Sequence, residues 1–101
     1  MAKLMELEVL SPARTLVFRE DVVYVLIETV TGGIGILANH APLLAALKEG
    51  PLKIQGSGGD ITIAYLEGGF AEVKENKVVI LTPRAELAAN IDVNHWEQVQ
   101  Q

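Results

Sequence analysis

Apolar and polar residues alternate along the first ~80 positions in short runs, broken about every ten positions by turn-forming residues, which predicts short β-strands. Leu4 to Leu10 is the first run, with Glu6 and Glu8 opposing Leu7 and Val9. Ser11-Pro12-Ala13-Arg14 turns the chain into Thr15 to Glu20, where Leu16 and Phe18 share a face. Val22 to Val30 is apolar on both faces near its centre, at Val23-Tyr24-Val25-Leu26-Ile27. Such a strand is either central in a two-layer core or covered by a partner. Leu52 to Gln55 and Ile61 to Leu66 flank Gly56-Ser57-Gly58-Gly59-Asp60, which predicts a β-hairpin with a flexible tip. Phe70 to Val73 and Val78 to Leu81 flank a charged, solvated turn at Lys74-Glu75-Asn76-Lys77. The expected architecture is mainly β, a small antiparallel sandwich of about ten short strands.

The pattern changes at Thr82-Pro83. Thr82 can cap a helix that starts at Pro83 and continues through Ala85 to Ala89, with Asn90 at its end. Asp92 can cap a second helix from Val93, on which Trp96 and Val99 share a face. The expected division is a sandwich over residues 1–82 and a short helical tail over 83–101. A helix of barely two turns is marginal in water, so the tail must dock, fray or be a remnant.

At 101 residues the chain is expected to form one domain, and 50% hydrophobic content with 21% charged residues argues against disorder. Its net charge of −5 disfavours nucleic acid and anionic lipid as partners. The absence of cysteine excludes disulfides and thiolate zinc sites. The opening Met-Ala-Lys-Leu-Met-Glu-Leu-Glu does not read as a signal peptide, and no stretch approaches the ~20 apolar residues of a membrane span. The expected location is cytoplasmic, with any membrane reached through protein partners.

The most informative stretch is Gly32-Gly33-Ile34-Gly35-Ile36-Leu37-Ala38-Asn39-His40-Ala41-Pro42-Leu43-Leu44. It reads as a tight glycine turn, a short strand, a stiff polar loop carrying His40, and a second apolar run. A glycine-bounded strand followed by Asn-His-Ala-Pro-Leu-Leu resembles the epsilon subunit of F-type ATP synthases, called delta in mitochondria. Leu7 to Pro12, Glu67-Gly68-Gly69-Phe70-Ala71-Glu72-Val73, and Asn76 to Leu81 are similar to other parts of that family, in the same order. So are Ala85-Glu86 and Ile91-Asp92 in the segment that follows, while Glu67 stands where a serine is usual.

The resemblance implies a rotor-stalk subunit that binds the gamma subunit and the membrane c-ring, at the cytoplasmic face of the membrane, with catalysis elsewhere in the assembly. It implies a gamma-contacting surface at Ser11, His40, Ala41, Pro42 and Leu44, and a c-ring contact at Gly32 and Gly33. Many family members carry an acidic residue where this chain has Gly33, so a salt bridge from that position is not available here. His40 has other readings: a loop histidine filling a gap, or a catalytic base working with a distant carboxylate. A free-standing ligand-binding barrel with a cavity among Tyr24, Tyr65 and Phe70 is a further alternative. Gly56 to Gly59 and Gly68-Gly69 lack the strand–glycine-loop–helix context of a phosphate cradle and read as hairpin or bulge glycines.

The chain resembles a short form lacking most of the family's C-terminal helical hairpin. Some bacterial relatives bind ATP there through a segment of the type Ile/Leu-Asp-x-x-Arg-Ala. This chain has Ile91-Asp92-Val93-Asn94-His95-Trp96, with His95 in place of the always-charged, multidentate arginine. No cofactor is expected, and ATP binding by the tail is expected to be absent. Isothermal titration of the chain with ATP should show no binding, and a dissociation constant in the low millimolar range or tighter would contradict this.

Overall fold

The computed structural model of the protein describes residues 3–87. These form seven strands: β1 (Met5–Leu10), β2 (Thr15–Thr29), β3 (Gly32–Ile36), β4 (Leu43–Gly56), β5 (Ile61–Lys74), β6 (Lys77–Leu81) and β7 (Ala85–Leu87). β1 pairs antiparallel with β2 on one side and parallel with β6 on the other. From β6 the ladder continues through β5 and β4 back to β2, so it closes on itself.

Closure is possible because β2, β4 and β5 are long enough to serve both layers of the sandwich. β2 pairs with β1 over Thr15–Val22 and with β3 and β4 over Val22–Thr29. The C-terminal half of β5 pairs with β6, while its N-terminal half pairs with β7. The first layer therefore holds β1, β6 and the halves of β2, β4 and β5 beside them. The second holds β3, β7 and the remaining halves. Splitting each long strand at its bend gives ten short segments, the number expected, although one of them is β7, which was expected as helix. Thr15–Glu20 and Val22–Val30 are thus one strand, bent where the register slips between Met5 and Leu7 and between Val22 and Tyr24. Such irregularities sharpen twist without ending the ladder.

Alternation sorts the side chains. In β1, Met5, Leu7 and Val9 are buried while Glu6, Glu8 and Leu10 are not. The buried hydrophobic residues are all Met, Leu, Val, Ile or Ala and form one continuous cluster between the layers. Fully burying each larger one contributes about 1.5–3 kcal/mol. Val25 and Ile27 lie in this core, and β2 runs between β3 and β4 there, so the doubly apolar stretch is a central strand.

Two turns depart from the sequence expectation. The β2–β3 turn is Val30-Thr31, and Gly32-Gly33 already belong to β3. The Thr29 hydroxyl sets this position: it accepts from Thr31 N at 3.2 Å and donates to Gly32 O at 2.6 Å. The tip of the β4–β5 hairpin is tied down. Arg19 bonds Asp21 at 2.8 and 2.9 Å and Asp60 at 2.9 Å, and Ser57 N donates to Asp21 O at 2.8 Å. The Arg19 guanidinium holds the Asp21 carboxyl below its ordinary value. The β5–β6 hairpin turns at Glu75-Asn76, both left-handed at φ +51° and +60°, as a two-residue turn matched to strand twist requires.

The helix expected from Pro83 is not formed over Ala85–Leu87, which instead pair with Leu66, Tyr65 and Ala64 of β5. Glu67 N also donates to Arg84 O, and Ala85 packs on the core. The free edge of β5 offers backbone partners and burial that local helix propensity does not match. Thr82, expected as a helix cap, is buried and donates through Oγ1 to Arg84 O. The second helical segment, from Asp92 onward, lies outside the described residues.

Gly68 and Gly69 have φ of +93° and +117°, and bend β5 between the layers. A Cβ at Gly69 would stand 1.9 Å from the Leu81 carbonyl oxygen, at the end of β6. Replacing Gly69 by Ala should destabilise the fold by roughly 2–4 kcal/mol, from strain plus steric displacement of β6. Gly58, with no close neighbour, should tolerate Ala within about 0.5 kcal/mol. Urea unfolding followed by circular dichroism measures both.

Candidate partner interface

The outer face of the first layer carries four of the exposed large hydrophobic residues, Phe18, Leu44, Phe70 and Leu81. Register fixes its rows. Leu10 of β1 pairs with Leu81 of β6, Leu81 with Phe70 of β5, and Phe70 with Ala46 of β4. The next row along the strands is Glu8, Val79, Glu72 and Leu44, with Phe18 of β2 beside Glu8. Leu44 is 73% exposed, and Phe70, Leu81 and Phe18 are 56%, 52% and 51% exposed. Leu10, Pro12, Phe70, Leu81 and Pro83 line an open apolar hollow of about 400 Å³ at one end. The face becomes charged toward its other end, where Lys77 lies 3.0 Å from Glu6 and 3.9 Å from Glu8. The hydrogen bond to Glu6 raises the Lys77 pKa, but the pair is solvated and contributes little to stability.

The residues that the resemblance marked for gamma border this one face. Ser11 follows Leu10 at the hollow, and its hydroxyl is engaged in the turn, accepting from Ala13 N and Arg14 N at 3.3 and 3.2 Å. His40, Ala41 and Pro42 form the loop at the charged end. Asn39, left-handed at φ +66°, starts this loop and accepts a hydrogen bond from Lys3 at 3.3 Å. Its backbone N–H donates to the Asn76 side chain of the β5–β6 turn. Leu44 lies between these ends. Gly32 and Gly33 are elsewhere, on the second layer. Val30 and Thr29 link their hairpin to β4, Val30 by donating to Ala46 O at 3.1 Å and Thr29 by pairing with Leu47.

The alternatives find no matching geometry. The His40 ring is half-buried, and Nδ1 meets Ala41 O at 2.7 Å, with no carboxylate of the described residues hydrogen-bonded to the ring. Among the described residues no group of three His, Cys, Asp or Glu side chains is arranged to hold a metal ion. Tyr24, Tyr65 and Phe70 do not enclose a common cavity: Phe70 is on the outer face of the first layer, and Tyr65 is on that of the second. Aliphatic side chains fill the space between the layers.

One feature escaped the sequence reading. Tyr65, Glu49, Glu67, Arg84 and Glu86 line a second hollow of about 280 Å³, made by β7 joining β5. The Tyr65 hydroxyl donates to Glu49, and this bond pushes its pKa up to about 12. Arg84 lies 3.4 Å from Glu67. Without β7 in the reading, nothing in the sequence brings Glu86 next to Tyr65.

Fold and surface together define a β-sandwich whose distinctive chemistry is an exposed apolar sheet face bordered by a turn and a histidine loop. The chain belongs to the ATP synthase delta/epsilon chain family, whose β-sandwich domain matches residues 4–88. It is 40% identical over 101 residues to the ATP synthase epsilon chain of Desulforamulus reducens, covering all of this chain and 75% of that one. The epsilon chain of Pelotomaculum thermopropionicum is 41% identical over 95 residues, covering 94% of this chain and 69% of the relative. The chloroplastic epsilon chain of Huperzia lucidula is 48% identical over 88 residues, covering 87% and 62%. Among solved structures, a chain in the Euglena gracilis mitochondrial ATP synthase (OSCP, F1 and c-ring) superposes with a TM-score of 0.84 at 27% identity. That match covers 95% of this chain and 61% of the Euglena chain. A chain of the Tetrahymena thermophila central stalk and c-ring shares the fold, with a TM-score of 0.73 at 18% identity over 96% and 76% of the two chains.

Proposed function

We propose that this chain is a rotor subunit of an F-type ATP synthase, joining the gamma subunit to the c-ring. Ion flow turns the c-ring, the stalk carries torque, and ATP is made at sites on other subunits. The chain supplies no catalytic residue and no cofactor of its own. It works at the cytoplasmic face of the membrane, which it reaches through its protein partners. Ala85–Leu87 belong to the sandwich as a strand and not to a helical tail.

The observation that carries this reading is the exposed apolar face of the first layer. Leu44 stands at 73% exposure inside a surface bordered by Ser11 and by His40, Ala41 and Pro42. Large side chains such as Phe18, Phe70 and Leu81 on a sheet face favour a protein partner over water. A gamma subunit covering this face buries them, and the β2–β3 hairpin with Gly32 and Gly33 is left to meet the c-ring. Load passes between the two contacts through a closed, densely packed sandwich, whose interior yields little under compression.

The test is association with the gamma subunit of the same organism, comparing wild type with His40→Ala and Leu44→Asp. Wild type should form a stable one-to-one complex. Leu44→Asp, which places a charge at the most exposed leucine of the face, should weaken it by about tenfold or more, and His40→Ala by a smaller factor. Both variants should unfold at the wild-type midpoint. No association of wild type at micromolar concentration would contradict the proposal.

A further inference from the structure

The loop that carries His40 is tied to the rest of the molecule at one residue. It spans residues 37–42, between the end of β3 and the start of β4. His40 N donates to Leu37 O at 3.2 Å, and the His40 ring meets Ala41 O, so these bonds stay within the loop. Among the described residues, the hydrogen bonds that join residues 39–41 to another part of the chain all belong to Asn39. Its backbone N–H donates to Asn76 Oδ1 at 2.6 Å. Its side-chain Oδ1 accepts from Asn76 Nδ2 at 3.4 Å and from Lys3 Nζ at 3.3 Å. The two asparagines thus form a reciprocal amide clasp between residues 37 apart in sequence.

The far side of the clasp is anchored. Asn76 is the second residue of the two-residue β5–β6 turn, with φ at +60°, and the Lys74–Lys77 pair closes that turn. The Asn76 carbonyl accepts from Glu6 N at 2.9 Å, which fixes the turn against β1. Asn39 is left-handed too, at φ +66°, a conformation asparagine tolerates better than most residues. The bond from its N–H therefore holds the loop at its left-handed bend, one residue before His40. Asn39, Ala41 and Pro42 are exposed and His40 is half-buried, so apolar packing does little to hold them.

We propose that Asn76 is a positioning residue for the gamma contact. Its side-chain amide locks Asn39, and so sets His40, Ala41 and Pro42 in the arrangement that gamma meets. The inference rests on the gamma contact proposed above and adds to it a residue that acts through Asn39. A loop ordered before the partner arrives gives up no further conformational freedom on binding, so affinity rises without a new contact. Releasing the clasp leaves the competent arrangement as a fraction of the loop population, and apparent affinity falls by that fraction. The β5–β6 turn does not itself require asparagine, because glycine satisfies a left-handed turn position at least as well. What glycine cannot supply is the acceptor for Asn39 N–H.

Two substitutions separate the amide from the turn. Asn76→Gly keeps the left-handed turn and removes the clasp. Asn76→Asp keeps the turn and a side-chain oxygen that accepts from Asn39 N–H. The full chain is followed by amide hydrogen exchange at Asn39 and by association with the gamma subunit of the same organism. Asn76→Gly should speed exchange at Asn39 by about tenfold or more and weaken gamma binding by about three- to tenfold, with urea unfolding near the wild-type midpoint. Asn76→Asp should restore most of both. In a His40→Ala background, Asn76→Gly should weaken binding by a smaller factor than in wild type, since the two changes act through one loop. Wild-type gamma affinity in folded Asn76→Gly would overturn the inference and leave the gamma contact standing. So would weakened binding that Asn76→Asp fails to restore, or full additivity with His40→Ala. Wild type with a protected Asn39 amide but no association with gamma would refute the rotor reading, and this inference with it.

Discussion

The parallel pairing of β1 with β6 is the constraint on which the rest of the molecule depends. Residues Glu6–Leu10 and Lys77–Leu81 are separated by most of the described chain, yet they align residue for residue. Their pairing closes the ladder, because β1 already holds β2 on its other side. Once closed, the ring forces β2, β4 and β5 to bend between layers and leaves β3 and β7 each with a single neighbouring strand among the described residues. Those bends explain the register slips in β2 and the left-handed glycines of β5. They also explain why Gly69 must pass so close to the carbonyl of Leu81: β6 has to end there for Thr82 to turn toward β7.

Closure also sorts function from stability. The core cluster between the layers is built of Met5 and aliphatic side chains, and its role is packing. What remains for recognition is the outer surface of each layer and the unpaired strand edges. The first layer presents leucine and phenylalanine in rows that cross four strands, a surface suited to burial against a protein. The second layer presents the glycine edge of β3, suited to main-chain contact.

Much of this was legible in the chain itself. Period-two alternation located both hairpins, since Gln55↔Ile61 and Lys74↔Lys77 close the turns read from Gly56–Asp60 and Lys74–Lys77. The Asn-His-Ala-Pro-Leu-Leu motif brought the family into view, and with it the residues that border the apolar face. Three features were not legible, each for a physical reason. Gly32-Gly33 is the strongest local turn signal in its stretch, but the turn sits earlier because the Thr29 hydroxyl organises it. Ala85-Glu86-Leu87 has helical propensity, and only a pairing with Ala64–Leu66, some twenty residues away, makes it a strand. The meeting of Glu28 with Gly33 depends on cross-strand register, which slips invisibly if the turn is misplaced by one residue.

The central claim is that the outer face of the first layer is the side covered by gamma. The chain has no native cysteine, so a single introduced thiol reports its own accessibility. The decisive measurement is the maleimide labelling rate of Leu44→Cys and Val79→Cys, on that face, against Lys53→Cys on the second layer, with and without gamma. The account predicts strong protection of the first two and an unchanged rate at position 53. Equal rates at all three positions, or protection at position 53 alone, would contradict it.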